Sequence, residues 1–202
     1  MKNKKILISI ILSCAIFVIV LLADLLTKGL IIPNLIPNVG DRVGIIPKVI
    51  SFIYVKNFGA AWGIFGGRNI FLIVTSILIL TLFLTFYILR LKKAKNNISS
   101  LLSVGVGLIA GGCIGNLFDR LVFGYVRDFI NFDFINFPVF NFADIALTFG
   151  VIIMVVYFLF FFAKEDKNAD KIQENLENNS ENDQISGGED NERWVYYRKS
   201  RR

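Results

Sequence analysis

Four long apolar stretches constrain what this chain can fold into more than any other feature of its sequence. Each has close to the number of residues, about 20, that a helix needs to cross the hydrocarbon core of a bilayer. They cover roughly residues 6–23, 70–89, 101–118 and 143–163. Because backbone polar groups find no water inside a bilayer, such stretches fold as helices. We therefore expect an all-α membrane protein, with a four-transmembrane-helix bundle formed by residues 1–163.

The first apolar stretch has two further explanations. Lys2, Lys4 and Lys5 precede it, as basic residues precede the apolar core of a cleaved signal peptide. The string ILSC, which ends at Cys14, is similar to a lipidation site, so a non-enzymatic membrane anchor lipidated at that cysteine is an alternative. A lipidated cysteine is usually followed by a polar tether, whereas the apolar run here continues to Ala23. We therefore expect an uncleaved transmembrane helix.

Basic residues flank the apolar stretches unevenly. They crowd before the first stretch, between the second and the third, and after the fourth, whereas the connections 24–69 and 119–142 carry them more sparsely. The positive-inside rule therefore predicts that both termini are cytoplasmic and that these two connections lie outside. The same distribution accounts for the net charge of +6, so we do not expect a nucleic-acid partner.

Acidic residues are rare in the apolar part of the chain. Residues 1–163 contain six, all of them aspartates: Asp24, Asp41, Asp119, Asp128, Asp133 and Asp144. An ionisable group beside hydrocarbon is costly and therefore marks a candidate functional site. The predicted topology brings four of them to one depth near the outer membrane face, namely Asp24, Asp119, Asp128 and Asp144. We expect these carboxyl groups to share a site.

The chain contains no histidine and only two cysteines, Cys14 and Cys113, which both fall within predicted spans. Ser-His and Cys-His nucleophilic machinery is therefore excluded, as are the usual imidazole zinc sites. We expect no metal and no cofactor, so an enzyme built from this chain works with carboxyl, lysine, hydroxyl or tyrosine groups. A small ion- or proton-coupled carrier is the alternative, although carriers place their binding groups near the middle of the membrane.

The third span and the first outer connection carry two structural signals. Gly107, Gly111 and Gly115 recur every four residues and form one small face, along which helices approach closely in lipid. Pro33 and two later prolines in the connection argue against a continuous helix there. The β-branched and aromatic run from Val49 to Val55 predicts short strands. A small extracytoplasmic β element between helices 1 and 2 is therefore expected.

Residues 164–202 differ in composition from the rest of the chain. Asparagine, glutamate, aspartate and lysine dominate up to Asp190, with few apolar residues. Such a segment cannot bury enough apolar surface to fold, so we expect a polar, disordered cytoplasmic tail. Its end, from Arg193 to Arg202, mixes aromatic and basic residues and either lies on anionic lipid or is solvated.

Five short segments at or near the ends of the apolar stretches carry a more specific signal. They read DLLTK from Asp24, NFGAAWG from Asn57, GGCIGNLFDR from Gly111, VRDF from Val126 and FNFAD from Phe140. In this order they resemble the sequence boxes of the lipoprotein signal peptidases, the signal peptidase II family. The resemblance covers roughly residues 20–160 and includes all four apolar stretches.

The resemblance implies a non-metal aspartic endopeptidase of the bacterial cell membrane. Such an enzyme removes the signal peptide from diacylglyceryl-modified prolipoproteins, cutting just before the lipidated cysteine. Its partners are these substrates and membrane lipids, it is expected to act as a monomer, and its active site lies near the extracytoplasmic face. By position in the boxes, Asp128 and Asp144 are the catalytic pair. The supporting or substrate-binding positions are Asp24, Lys28, Asn57, Gly59, Asn116, Asp119, Arg120 and Asn141.

Two residues near the expected catalytic pair depart from the family pattern or compete with it. Arg127 stands where the family usually has an apolar residue. Asp133 lies five residues after Asp128 and is an alternative catalytic aspartate. The nine-residue step from Asp119 favours Asp128 over this competitor.

Two of the supporting positions also have a purely structural interpretation. Lys28 extends alternatively to the lipid headgroups, as long basic side chains near helix ends do. Arg120 alternatively forms a plain ion pair with the neighbouring Asp119 at the end of the third span. Both alternatives remain open from the sequence.

Elementary electrostatics predicts different roles for the two expected catalytic acids. Two close carboxyl groups share one proton, because like charges raise one of the two pKa values. Asp144 begins the fourth predicted helix, where the helix dipole stabilises negative charge and Asn141 is in position to cap the helix. We therefore expect Asp144 to be the more readily ionised acid and Asp128 to hold the proton.

Overall fold

The computed structural model describes residues 2–59, 64–93 and 99–162, and the predicted tail at 164–202 lies outside the described residues. The elements of the described chain follow in this order: α1 (Lys2–Leu35), β1 (Arg42–Ile46), β2 (Ile50–Asn57), α2 (Asn69–Lys93), α3 (Ser100–Val122), β3 (Val126–Phe132) and α4 (Phe142–Tyr157), prolonged by a π-helical turn over Phe158–Phe162. All four α-helices are long and apolar enough to cross a membrane. The prediction of a helical membrane protein with four spans is confirmed.

Helix α3 lies between α1 and α4 and contacts both along glycine-lined faces. A methyl group on Gly111 would lie 2.6 Å from Cβ of Val20 in α1, and one on Gly112 would lie 2.5 Å from the carbonyl oxygen of Ala143 in α4. Real side-chain carbons do not approach other atoms so closely. Helices α1 and α4 can therefore pack this close to α3 only because these two positions of α3 have no side chain. The small face predicted from the glycine repeat exists, and it faces α1.

Helix α1 is longer than the first predicted span, because it continues through Pro33 to Leu35. The expectation that the prolines interrupt the helix is therefore wrong at Pro33, whereas α1 does end at Leu35, two residues before Pro37. Pro33 removes one helical hydrogen bond, but every fourth residue of this part of α1 is buried in the protein and holds the helix in place. The buried face consists of Asp24, Lys28 and Ile32, continued by Ile36 just after the helix, all 7% exposed or less.

The three strands form one antiparallel sheet in the order β1–β2–β3. The β element predicted between helices 1 and 2 is present as β1 and β2, but the third strand comes from the connection between α3 and α4. No strand was expected there, although the segment VRDFINF has the β-branched and aromatic character of a strand and pairs with β2. Register between β2 and β3 shifts between Phe52 and Val55, where β2 carries one extra residue.

A small hydrophobic core joins the sheet to α1. Ile32 and Ile36 pack against Tyr54 of β2 and Phe129 of β3. Consecutive side chains of a strand point to opposite faces. Burial of Phe129 in this core therefore turns the preceding residue, Asp128, away from it.

Candidate active site

Strand β3 carries Asp128 into the interior of the protein. The residue is 1% exposed, and asparagine amides hold its carboxyl group from two sides. Asn57, the last residue of β2, donates from Nδ2 to Oδ2 at 2.9 Å, and Asn141 donates from Nδ2 to Oδ1 at 2.6 Å. Each carboxyl oxygen has a donor from a different part of the chain, so the orientation of the group is fixed.

The first turn of α4 carries Asp144. Asn141 caps this helix: its Oδ1 accepts the backbone N–H of Asp144 at 3.0 Å, and Oδ2 of Asp144 accepts the N–H of Asn141 at 3.1 Å. These reciprocal bonds form a capping box, as expected from the predicted cap. Asn116 of α3 donates from Nδ2 to the other oxygen of Asp144 at 2.8 Å. The carboxyl group thus lies at the positive end of the helix dipole with donors on both oxygens.

Asn141 links the two acids, because it donates to Asp128 and caps the turn that carries Asp144. Both acids line one cavity of about 870 Å³. The rest of its wall is largely apolar and comes from the segment 137–140 and from α4. The other polar side chains that line it are those of Lys56, Asn57, Asn116, Arg120 and Thr148. The structure therefore brings together the two aspartates that the sequence singles out.

The surroundings of Asp128 favour its protonated form. Burial raises the pKa of Asp128 from 3.8 to about 7, and the negative charge of Asp144 acts in the same direction. The hydrogen bonds from Asn57 and Asn141 and the positive charge of Lys28 oppose this rise in the pKa. Near neutral pH, a large fraction of the molecules therefore holds a proton on Asp128 while water is kept away from the group.

A buried cluster of charges lies beside the two acids. Lys28 of α1 extends its Nζ to Oδ2 of Asp24 at 2.8 Å and to Oδ2 of Asp119 at 3.1 Å, and all three side chains are 0% exposed. Oδ1 of Asp24 accepts the backbone N–H of Ala143 at 3.0 Å, next to the start of α4. The alternative in which Lys28 extends to the lipid headgroups is wrong, because its ammonium group is buried and paired with Asp24 and Asp119.

Asn116 connects this charge cluster to the acids that line the cavity. Its Oδ1 accepts hydrogen bonds from Lys28 at 3.3 Å and from Asn141 at 3.0 Å. Because its oxygen is engaged in this way, its amide nitrogen is turned towards Asp144. The position of Asp144 is therefore coupled to Lys28 through one asparagine side chain.

Arg120 and Gly59 meet at the edge of the cavity. Nη2 of Arg120 donates to the backbone oxygen of Gly59 at 3.3 Å, and the N–H of Gly59 donates to Oδ1 of Asn57 at 2.9 Å. The alternative of a plain ion pair between Arg120 and Asp119 is wrong, since the cations on that carboxylate among the described residues are Lys28 and Arg127. Residues 60–63 of the expected second box lie outside the described residues.

Asp133, the competing aspartate, directly follows β3 and does not line the cavity. Its Oδ1 accepts hydrogen bonds from Oγ of Ser51 at 2.6 Å, from Nδ2 of Asn131 at 2.7 Å and from Nη2 of Arg42 at 2.7 Å. The hydrogen bond from Ser51 is the largest cause that lowers the pKa of Asp133. The residue is thus held as a carboxylate that joins the three strands.

Arg127 makes contacts near the site that the sequence does not predict. It donates to Asp119 through its backbone N–H and its guanidinium group. Its position directly before Asp128 was the only sequence signal, and it does not reveal the partner, which belongs to another element.

No cluster of three or more His, Cys, Asp or Glu side chains in the described part of the chain is arranged to hold a metal ion.

Comparison with known proteins identifies the group to which the chain belongs. Residues 16–160 match the family described as signal peptidase (SPase) II. The chain is 40% identical over 147 residues to the lipoprotein signal peptidase of Lactobacillus johnsonii, covering 73% of this chain and 91% of that protein. It is 39% identical over 143 residues to the lipoprotein signal peptidase of Staphylococcus carnosus, covering 70% of this chain and 86% of that protein.

A solved structure shares the fold. It is a bacterial membrane enzyme determined by the in meso method at 2.3 Å resolution, with 36% sequence identity and a TM-score of 0.65 over 73% of this chain and 87% of that chain. The matched family range includes the whole cavity lining and the buried charge cluster. The chain therefore belongs to the signal peptidase II family, the lipoprotein signal peptidases.

Proposed function

We propose that Asp128 and Asp144 make this chain an aspartic endopeptidase that cuts diacylglyceryl-modified prolipoproteins just before the lipidated cysteine. As a member of its family, the chain is a membrane peptidase that removes signal peptides from prolipoproteins. The observation that carries the aspartic mechanism is the pair of acids on one cavity, buried Asp128 and partly buried Asp144, linked by Asn141. Two such carboxyl groups supply both the acid and the base of peptide hydrolysis, so the mechanism requires no metal.

In this mechanism Asp144 is the general base and Asp128 the general acid. Ionised Asp144 takes a proton from a water molecule, whose oxygen attacks the carbonyl carbon while Asp128 gives its proton to the carbonyl oxygen. When the tetrahedral intermediate breaks down, the amine leaves with the proton from Asp144. The carboxylic acid product forms as a hydroxyl of the intermediate returns a proton to Asp128.

The surroundings of the two acids support this division of roles. Asp144 accepts hydrogen bonds on both oxygens at a helix N-terminus, which favours the ionised form that a base requires. Asp128 is buried with its pKa raised to about 7, which favours the protonated form that an acid requires. Since the two groups titrate as a unit, the active form of the enzyme is the pair that holds one proton.

The supporting residues divide into those that hold the acids and those that face the substrate. Asn57 and Asn141 orient Asp128, and Asn116 orients Asp144. The charge cluster of Asp24, Lys28 and Asp119 ties α1 to α3. Arg120 and Gly59 line the cavity and are proposed to contact the substrate backbone or a lipid phosphate.

We further propose that the enzyme acts as a monomer in the bacterial cell membrane, with both termini cytoplasmic and the active site near the extracytoplasmic face. The clustering of basic residues around the other connections supports this orientation. Asp119 near the end of α3 and Asp144 at the start of α4 belong to the same end of the bundle. That arrangement is unlike the mid-membrane sites of carriers, which argues against the carrier alternative.

The test is cleavage of a purified diacylglyceryl-modified prolipoprotein by the purified full-length protein in detergent. We expect release of the signal peptide at the bond before the lipidated cysteine, mapped by mass spectrometry of both products, and unchanged turnover after treatment with a metal chelator. Asp128→Asn and Asp144→Asn should each lower the rate about 10²- to 10⁴-fold, because each removes an acid or a base. Both variants keep the shape of the side chain, so folding is checked by thermal unfolding.

Asp133→Asn is the matched control, since Asp133 lies beyond the end of the same strand and outside the cavity. It should retain the wild-type rate. Full turnover by either of the other two variants would remove that residue from the catalytic pair. Equal cleavage of a prolipoprotein that lacks the diacylglyceryl group would contradict the proposed substrate requirement.

A further inference from the structure

Arg127 immediately precedes Asp128 in β3 and binds the carboxylate of Asp119 with three hydrogen bonds. Its backbone N–H donates to Oδ2 at 3.0 Å, while Nε and Nη2 donate to Oδ1 at 3.1 and 2.8 Å. Asp119 is 0% exposed and lies near the C-terminal end of α3. The contact thus ties β3 to the end of the most enclosed transmembrane helix, one residue before the proposed general acid.

We propose that Arg127 is a positioning residue, which holds β3 in the register that aims Asp128 into the catalytic cavity. The inference rests on the catalytic role proposed for Asp128. Arg127 does not line the cavity, so it acts through its neighbour in the strand.

The sheet by itself defines this register poorly. The pairs Phe52–Ile130 and Val55–Asp128 have different offsets, so β2 carries one extra residue directly beside Asp128. Such a bulge disrupts the ladder locally, and a slip of one residue in a strand turns every side chain to the opposite face. A slip here would replace the carboxyl group in the cavity with a neighbouring side chain. Arg127 lies on the same side of the bulge as Asp128, so its anchor to Asp119 holds the segment that carries the acid and prevents the slip.

The chemistry of Asp119 explains why the anchor is an arginine. A carboxylate offers about four acceptor positions, and here Oδ1 receives both guanidinium nitrogens while Oδ2 receives the backbone N–H of Arg127 and the Nζ of Lys28. The guanidinium plane also lies over the ring of Phe123, 4.4 Å from its centre. A lysine supplies a point charge without the planar fork, so it cannot reproduce this arrangement.

The buried charge cluster is electrically neutral only when Arg127 is included. Two buried carboxylates, Asp24 and Asp119, face two cations, Lys28 and Arg127. If Arg127 is removed, Lys28 is left to neutralise both acids alone. Its Nζ would then be drawn towards Asp119, away from the oxygen of Asn116 that helps to orient Asp144.

The experiment compares Arg127→Met, Arg127→Lys and Arg42→Met in the full-length protein with the lipidated substrate. Arg42→Met is the matched control, because it removes another arginine–aspartate pair of the same sheet, that with Asp133. We expect Arg127→Met to lower kcat about 10- to 100-fold with KM within about threefold, as a displaced catalytic group does. Arg127→Lys keeps the charge and should lower kcat less, by roughly 3- to 10-fold. Arg42→Met should keep kcat within about twofold of the wild type.

Three results would overturn the inference. The first is a kcat of Arg127→Met within about twofold of the wild type. The second is a loss of activity in this variant that disappears when the rate is divided by the folded fraction, as measured by size exclusion and thermal unfolding. The third is a wild-type kcat in Arg127→Lys, which decides the matter even where Arg127→Met does not fold. The wild type and Asp128→Asn are assayed in parallel. Their activity and inactivity uphold the proposed function whatever the Arg127 variants do.

Discussion

The two ends of strand β3 carry aspartates in opposite environments. Asp128, within the strand, is buried, accepts hydrogen bonds from two neutral amides and has another acid, Asp144, on the same cavity. Asp133, just after the strand, contacts the exposed Arg42 of β1 and the hydroxyl of Ser51 of β2. Both residues have an adjacent phenylalanine and lie in the same connection, so their different chemistry comes from what the fold brings to them.

The difference appears in the direction of the pKa shifts. Burial raises the pKa of Asp128 to about 7, whereas hydrogen bonding, chiefly from Ser51, lowers the pKa of Asp133. The stability contributed by Asp128 is therefore complete below its unfolded pKa of 3.8 and is lost as the pH rises through about 7. The stability contributed by Asp133 is present above 3.8 and is lost as the pH falls through its lowered pKa. One acid is arranged to keep a proton and the other to lose it.

The largest expected effect is a loss of stability when a buried ion pair near Asp128 is broken, compared with the loss when the exposed pair of Asp133 is broken. Lys28→Met leaves the buried carboxylates of Asp24 and Asp119 without their shared cation. Breaking a buried pair in this way costs about 3–5 kcal/mol of the free energy of unfolding. Arg42→Met breaks a pair whose arginine is 55% exposed and should change the free energy of unfolding far less, because exposed ion pairs contribute little. Unfolding in detergent measures both, and equal losses would contradict the contrast.

A second, smaller effect compares a tightly packed glycine beside the buried charge cluster with an open glycine in the sheet. A methyl group on Gly115 of α3 would lie 2.5 Å from Oδ2 of Asp24, whereas one on Gly44 of β1 would meet no atom within 4 Å. Gly115→Ala should therefore cost about 1–3 kcal/mol of the free energy of unfolding and should also reduce cleavage, because it displaces a charged group. Gly44→Ala should change stability by less than about 0.5 kcal/mol. A stable, fully active Gly115→Ala variant would show that Asp24 has room to move.

Much of the site follows from local patterns that a sequence displays directly. The apolar lengths predict the four spans, the glycine repeat predicts the face against α1, and the position of Asn141 before the last span predicts the helix cap. These features depend on residues within one turn or one helix. For the same reason the gathering of Asp119 and Asp144 at one end of the bundle follows from span direction alone.

The features that escaped prediction depend on partners far away in the chain. Nothing near Pro33 indicates that α1 continues, because the helix is held by contacts with β2 and β3. The segment of β3 contains residues typical of strands, but its place in the sheet becomes visible only through its pairing with β2. Likewise, the burial of Lys28 requires Asp119, 91 residues later, to lie opposite it. Local propensity cannot supply such pairings.

The pH dependence of cleavage sharpens the contrast between the two acids. If Asp128 must hold the proton, kcat/KM should fall about tenfold per pH unit above a midpoint near 7, the pKa of that group. Asp133→Asn should leave the midpoint unchanged, because Asp133 loses its proton well below this range. The measurement is a pH–rate profile with the lipidated substrate, with the folded fraction followed at each pH. A rate that stays constant up to pH 9 would exclude Asp128 as the proton donor.

The smallest expected effect isolates a single hydrogen bond at each end of the strand. Asn57 donates to Asp128 and lowers its pKa, while Asn131 donates to Asp133. Asn57→Ala should therefore move the high-pH midpoint of kcat/KM upwards by less than about one unit, since one neutral hydrogen bond contributes about 1 kcal/mol.

Asn131→Ala is the matched change on the outer sheet and should leave that midpoint where it is in the wild type. Asn57→Ala also removes the acceptor for the N–H of Gly59, so its rate at the optimum pH is expected to fall as well. The direction of the midpoint, rather than the rate, is therefore the decisive quantity. A midpoint that moves downwards would mean that the loss of Asn57 admits water to Asp128, because solvation of the carboxylate lowers its pKa more than the lost hydrogen bond raises it.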